Sequence, residues 1–257
     1  MNVVIQSRPA KNLPRCLVLL LALALTGCMA WLRAYQVYLQ LDDFEQHFVI
    51  ENQLGFAINF KHPVMYDQDF IDLSGLHPSQ RIPQALGETW HYRFVKVDSD
   101  WQPIAPELAL VIELDFNRYQ RLNRLTLPPL FLQMAPSVFL NASIRSLAGA
   151  EIDRQHKKIH AKATGFILDE TSLPTATTIG HALGEPVQSL PMADGHYRLL
   201  YHFLLVTDQI KPGYEQRVQT EVKLTFNDQH QLIKMSGRFA GLKISLNYQN
   251  LLQSPGA

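Results

Sequence analysis

The chain has 257 residues, 23 Lys+Arg against 23 Asp+Glu, and two cysteines, Cys16 and Cys28. Balanced charge excludes the cationic footprint of a nucleic-acid-binding protein, and 47% hydrophobic residues exclude a disordered, solvated chain. Two cysteines exclude a disulfide-dense scaffold, so stability has to come from burial.

The N-terminus comes first in chain order. Arg8, Lys11 and Arg15 precede an uncharged run, and the first 27 residues contain no acid, the pattern of an export signal. Its apolar core, Cys16 to Thr26, is eleven residues long, about half of what a ~30 Å bilayer requires at 1.5 Å per residue. Without cleavage the run continues to Leu32, seventeen residues, which is the bottom of the spanning range. An uncleaved anchor and ordinary secretion therefore stand beside a lipid anchor as readings of this segment. All three place the body outside the cytoplasm, because a cationic N-terminus stays inside.

Leu25-Thr26-Gly27-Cys28, at the end of that core, resembles the lipobox of bacterial lipoproteins. The resemblance implies a signal peptide over 1–27, removed before Cys28, and acyl groups such as palmitate on the new N-terminal cysteine. Met29 rather than Asp after the cysteine implies the outer membrane, with the body facing the periplasm. The membrane is then a partner through the lipid on Cys28. Loss of Arg8, Lys11 and Arg15 would leave 20 Lys+Arg against 23 Asp+Glu, a net charge of −3 without a thiol.

Residues 30–52 carry helical periodicity, with Trp31, Tyr35 and Tyr38 at i, i+4, i+7 and a stripe continuing through Leu41, Phe44 and Phe48. Trp31, Tyr35 and Tyr38 are candidates for contact with the membrane interface, which favours aromatic rings, or else for packing on a sheet. "FAINF" and "VMY" read as short strands, and "HPSQRIPQAL" as a short helix ending at Gly87. "HYRFVKV" is a strand by its aromatic and β-branched content. "LALVIELDF" and "RLNRLTL" form a hairpin turning at Asn117, with the first strand covered on both faces. After the seam at Pro128-Pro129 the plan recurs: a helix over "SVFLNASIRSLAGA" starting at Pro136-Ser137 and stopping at Gly149, short strands in "AEIDRQ" and "KIHAKAT", and a helix in "TATTIGHAL" capped by Gly184. The strand "LLYHFLLV" follows, then a hairpin turning at Asn227 in which Val222, Leu224 and Phe226 share one face.

Three blocks align these halves. Leu114, Phe116, Asn117 and Leu122 fall on Leu224, Phe226, Asn227 and Leu232 at an offset of 110; Tyr92, Phe94, Val97 and Pro103 fall on Tyr201, Phe203, Val206 and Pro212 at 109. "LHPSQRIPQALGE" falls on "LPTATTIGHALGE" at 97, through a shared Ala-Leu-Gly-Glu. The expected architecture is α+β, a tandem duplication of a helix–β-hairpin–short helix–three-stranded antiparallel sheet unit. Its parts are 28–128, 129–240 and a C-terminal tail, 241–257.

Pro174 to Phe239 resembles the small outer-membrane lipoprotein domain of the SmpA/OmlA type, a fold present in the BAM assembly complex of the outer membrane. The resemblance rests on Leu183-Gly184-Glu185-Pro186, then "YRLLYHFLLV", then "LTFNDQHQLI". It implies that fold type and a membrane-proximal, protein-binding role, without assigning binding residues.

Catalytic signatures are absent from the sequence: it has no Gly-x-Ser-x-Gly elbow, P-loop, Gly-x-Gly-x-x-Gly or His-Glu-x-x-His. No catalytic residue, metal site or cofactor is expected. His156 and His160 share a strand face some 13 Å apart. His91, His196 and His202 read as partly buried surface groups, and Asp67, Asp69 and Asp72 as solvated turn acids. The expected function is a non-enzymatic envelope interaction or assembly protein with an envelope protein partner. The alternative is a module for a hydrophobic or lipid ligand, lined by the apolar "LPPLFLQMAPSVFL".

Overall fold

The computed structural model describes residues 29–53, 55–146, 151–153, 158–160 and 173–252. The expected signal peptide, Leu25, Thr26, Gly27, Cys28, Gly149 and His156 lie outside them. Helix α1 (29–40) runs through a 3₁₀ turn (Leu41–Asp43) and a short α2 (Phe44–His47) into strand β1 (Phe48–Glu51). The expected helix over 30–52 is therefore shorter: the β-branched Val49 and Ile50 belong to a hairpin with β2 (Phe56–Phe60). "VMY" forms no strand beyond an isolated bridge from Tyr66 to Arg121.

Two local expectations fail between Asp67 and Gly87. Helix α3 is Asp67–Ser74, within the segment expected to be a loop of turn acids. "HPSQRIPQAL" is not helical; Gln80–Gln84 is β3, paired through the Ala85-Leu86 turn with β4 (Gly87–Val97). Gly87 accordingly caps no helix. Its φ is +150°, and a Cβ there would stand 1.8 Å from the Phe116 carbonyl oxygen, so the close approach of the next strand requires glycine. That strand is β5 (Ala109–Asn117), followed by β6 (Leu122–Leu127).

Past Pro128 come α4 (Pro129–Leu132) and α5 (Ser137–Arg145), then a two-stranded ribbon of β7 (Glu151–Asp153) and β8 (Lys158–His160). The remaining elements are α6 (Ala176–Leu183), β9 (Gln188–Pro191), β10 (Tyr197–Leu205), β11 (Gln219–Phe226), β12 (Leu232–Phe239), β13 (Leu242–Asn247) and α7 (Tyr248–Leu252). The 241–257 segment expected as a tail thus contributes a strand of the main sheet and a helix, with Tyr248 and Leu251 buried.

Eleven strands form one curled antiparallel sheet in the order β1-β2-β6-β5-β4-β10-β11-β12-β13, with β3 also on β4 and β9 also on β10. The fold is mixed α and β, as expected. Strand periodicity gives the sheet one apolar face: Trp90, Tyr92 and Phe94 of β4, Tyr201 and Phe203 of β10, and Val222, Leu224 and Phe226 of β11 are buried. Ile71 of α3, Phe131 of α4, Phe139 of α5, Ile179 of α6 and Tyr248 of α7 join them in a single cluster. The outer face is half-exposed. Burial alternates along all of β5, so that strand is covered on one side only, contrary to expectation.

The two meanders match in detail. A bulge interrupts β5–β6 at Asp115/Phe116 and β11–β12 at Thr225/Phe226. Asn117 Oδ1 accepts from the amides of Tyr119 and Arg121, and Asn227 Oδ1 accepts from that of Gln231. Asp67 N donates to Gln120 O at the start of α3, and Ala176 N to His230 O at the start of α6. These correspondences run at offsets of 109 and 110, and they pair α6 with α3, not with 76–88. The Ala-Leu-Gly-Glu block at 97 aligns a β-turn with a helix C-terminus and has no structural counterpart.

Candidate interaction sites

The halves meet where β4 and β10 pair, Phe94–Val97 against His202–Leu205. Lys96 lies in phase with Trp90, Tyr92 and Phe94, so its side chain enters the core side and is only 4% exposed. Its Nζ donates to the carbonyl oxygens of Leu183 and Glu185, each at 2.6 Å, and stands 5.3 Å from the Tyr201 ring centre. The ammonium thereby satisfies carbonyls at the end of α6 and meets the negative end of its dipole. Burial pushes the Lys96 pKa down and the Tyr201 phenol up to about 12. Lys96 also lines an open groove of about 490 Å³ with Ile104, Pro106, Leu108, Leu183 and Pro186 among its walls. Its walls mix these apolar side chains with Lys96 and the acids Asp98, Glu107 and Glu185. The sequence reading missed Lys96, although its even-numbered phase in "HYRFVKV" was the available signal.

On the outer side of the seam Trp101 stacks on His202, rings 4.3 Å apart and 2° from parallel. His202 Nε2 lies 3.6 Å from Glu221, and His91 Nε2 3.5 Å from Glu113. Glu221 is held below the usual carboxylate range by the Lys223 hydrogen bond and charge, with His202 adding to them against burial. His196 sits apart, at the end of the 193–195 turn. The three histidines thus form no common site. His160 lies opposite Glu151 in the β7–β8 ribbon. Among the described residues no group of three or more His, Cys, Asp or Glu stands close enough to hold a metal ion.

Trp31, Tyr35 and Tyr38 form a ladder along α1, with ring centres 5.9 and 6.0 Å apart and interplanar angles of 1° and 19°. Trp31 is 66% exposed, while Tyr35 and Tyr38 are half-buried. The opposite side of α1 is fastened by Arg33, whose guanidinium makes two hydrogen bonds to Asp69, at 2.5 and 2.6 Å, and lies 5.0 Å from the Tyr66 ring centre. The Asp69 hydrogen bonds raise the Arg33 pKa further. Asp69 is 1% exposed and also accepts from Tyr66 N. Asp72 takes Lys211 at 2.5 Å and Gln68 at 3.0 Å. Burial alone would raise Asp72, but those hydrogen bonds and the nearby cations hold it below its ordinary value. Asp69 and Asp72, expected as solvated, are structural ties with separate partners, whereas Asp67 accepts from the adjacent Gln68 amide. The apolar "LPPLFLQMAPSVFL" forms α4 and α5, and Phe131, Met134 and Phe139 fill the common core.

No helix among the described residues is long and apolar enough to cross a membrane. Compared with protein-family models, with curated proteins and with solved structures, the chain matches none.

Proposed function

We propose that the protein is an outer-membrane lipoprotein, cleaved after Gly27, acylated on Cys28 and facing the periplasm, which acts without catalysis as an interaction or assembly protein for an envelope partner. The observation that supports this best is continuity: residues 29–40 are helical from the first described position, and Arg33 fastens that helix to Asp69. A lipid on Cys28 would meet the folded body with no intervening spacer. Several acyl chains, at ~0.8 kcal/mol per buried CH₂, would make that attachment effectively permanent. A long sheet with a half-exposed outer face and edge strands at β1 and β13 offers backbone groups to a protein partner. The halves are taken as tandem copies, supported by the 109–110 offset in bulge, turn and helix start.

Intact mass tests the anchor. The mature chain should begin at Cys28 and carry acyl mass, and Cys28→Ala should remain unprocessed; a mature chain starting upstream of Cys28 overturns the reading. Crosslinking in the intact envelope should recover one specific envelope protein, and recovery of the monomer alone counts against the assembly role. The groove beside Lys96 favours a second reading, a hydrophobic ligand held outside the filled core. Native mass spectrometry of the purified chain should then retain a lipid adduct that Leu108→Trp abolishes.

A further inference from the structure

A second open groove, about 690 Å³, lies between residues 61–66 and the β5–β6 turn. Lys61, His62, Arg118 and Arg121 line it together with Tyr66 and Tyr119, and none of its lining residues is acidic, in a chain with equal numbers of acids and cations. Several of these groups are preset. Arg121 donates to the Pro63 carbonyl oxygen at 3.2 Å and the Tyr66 hydroxyl at 3.0 Å. The His62 ring is oriented by a 3.1 Å contact between its Nδ1 and that of His47. Arg118 lies 4.8 Å from the ring centre of Tyr119, which is 63% exposed.

Exposed apolar side chains stand on the elements around this groove. The Gly87–Asn117 pairing brings the β3–β4 turn beside the β5–β6 turn, and at its tip Leu86 is 73% exposed. On the other side stands α1 near Arg33. Arg33 and Arg121 each lie 5.0 Å from the centre of the same Tyr66 ring. Arg33 directly follows the exposed Trp31 and Leu32 in sequence. One end of the molecule therefore combines a cationic cleft with exposed Trp, Tyr and Leu side chains, close to where the chain arrives from Cys28.

We propose that this end rests on the bilayer and that the groove receives the phosphate-bearing headgroup of an anionic phospholipid. The choice of a lipid surface rests on the anchored reading above. Aromatic rings favour the headgroup level, and clustered Lys and Arg are drawn to anionic leaflets. Arg121 supplies planar, fixed donors for a phosphate; Lys61, whose Nζ donates to the Glu45 carbonyl oxygen at 2.7 Å, and Arg118 add charge at the mouth.

The test uses the purified full chain in neutral detergent micelles, titrated calorimetrically with dihexanoylphosphatidylglycerol, dihexanoylphosphatidylcholine and inorganic phosphate. Phosphatidylglycerol should bind at least tenfold more tightly than phosphatidylcholine, weaken as salt is raised, and be displaced poorly by inorganic phosphate. Lys61→Glu with Arg118→Glu should weaken binding at least tenfold. Lys223→Glu with Lys243→Glu, exposed on the outer face of β11 and β13, should leave it within twofold, with thermal melts confirming that both variants fold. Equal loss in both double variants, equal binding of the two lipids, absence of binding, or competition by phosphate as effective as by lipid overturns the proposal. Because lipid is supplied in solution, the result is independent of the mass measurement on Cys28, and either reading can fail alone.

Discussion

Tyr248 sends its hydroxyl through the core to the Met134 carbonyl oxygen, tying α7 to the loop between α4 and α5, while its ring meets Phe139 edge-on at 4.8 Å. The two contacts separate by substitution. Tyr248→Phe keeps the ring and strands one buried carbonyl, a loss of about 1–2 kcal/mol. Tyr248→Ala also leaves a cavity, for a total of about 3–5 kcal/mol. Urea midpoints of the two variants measure the difference; equal losses would mean that the ring contributes nothing. Lys96 is the other residue on which distant segments depend. Lys96→Met would remove an ammonium that folding partly desolvates and would leave two carbonyls at the end of α6 without their donor. The second effect should win, at about 1–3 kcal/mol, because the carbonyls stay where the helix puts them. Neither role was visible as chemistry in the sequence. Lys96 could have been found by phase, since a strand alternates strictly. Tyr248 sits in the segment expected as a tail, where no periodicity marks it as core.

At the scale of elements, strands were legible wherever alternation was long: β4, β5, β10, β11 and β12 lie close to where aromatic and β-branched content put them. The failures share a cause. A four-residue identity, Ala-Leu-Gly-Glu, masked Pro83, which a helix interior rejects and the edge strand β3 accepts. Helix α3 was hidden because it is rich in acid: Asp69 is folded inward to meet Arg33 and the Tyr66 amide, so its polarity looked like solvation. That ion pair is also what holds α1. Arg33→Ala should release α1 while the sheet persists, because the buried Asp69 carboxylate loses its cation. Chymotrypsin should then cut at Tyr35 and Tyr38 well before the body is digested, with a stability loss of about 1–3 kcal/mol. Cleavage at the wild-type rate would show that Gln40, hydrogen-bonded to His62, and packing suffice without Arg33.

Apart from the β7–β8 ribbon, the described strands form one sheet over one core, so the halves should not unfold separately. Three tyrosines add a pH dependence to that cooperativity. Tyr92, Tyr201 and Tyr248 are buried, and burial raises all three phenols above the ordinary 10.0, Tyr201 to about 12 and the others further. In the unfolded chain each would ionise near 10, whereas in the folded protein each keeps its proton. The unfolded state thus binds fewer protons above pH 10, and stability falls as pH rises through that range; below 10 the contribution is fully present. Lys96 acts in the opposite direction, because its lowered pKa makes the unfolded state bind more protons up to 10.5. Three phenols against one ammonium leave a net loss. The urea midpoint should therefore decline steeply above pH 10. All three tryptophans, Trp31, Trp90 and Trp101, precede residue 128, whereas Tyr201 and Tyr248 follow it. Tryptophan fluorescence consequently reports the first half, whereas the tyrosine absorbance change reports both, through Tyr92 on one side and Tyr201 and Tyr248 on the other. At pH 10.5 and above the two signals should trace a single coincident transition, because the β4–β10 pairing and the shared core couple them. Two separated transitions would mean that the seam is weaker than either half, and the molecule would then be two domains sharing a sheet edge.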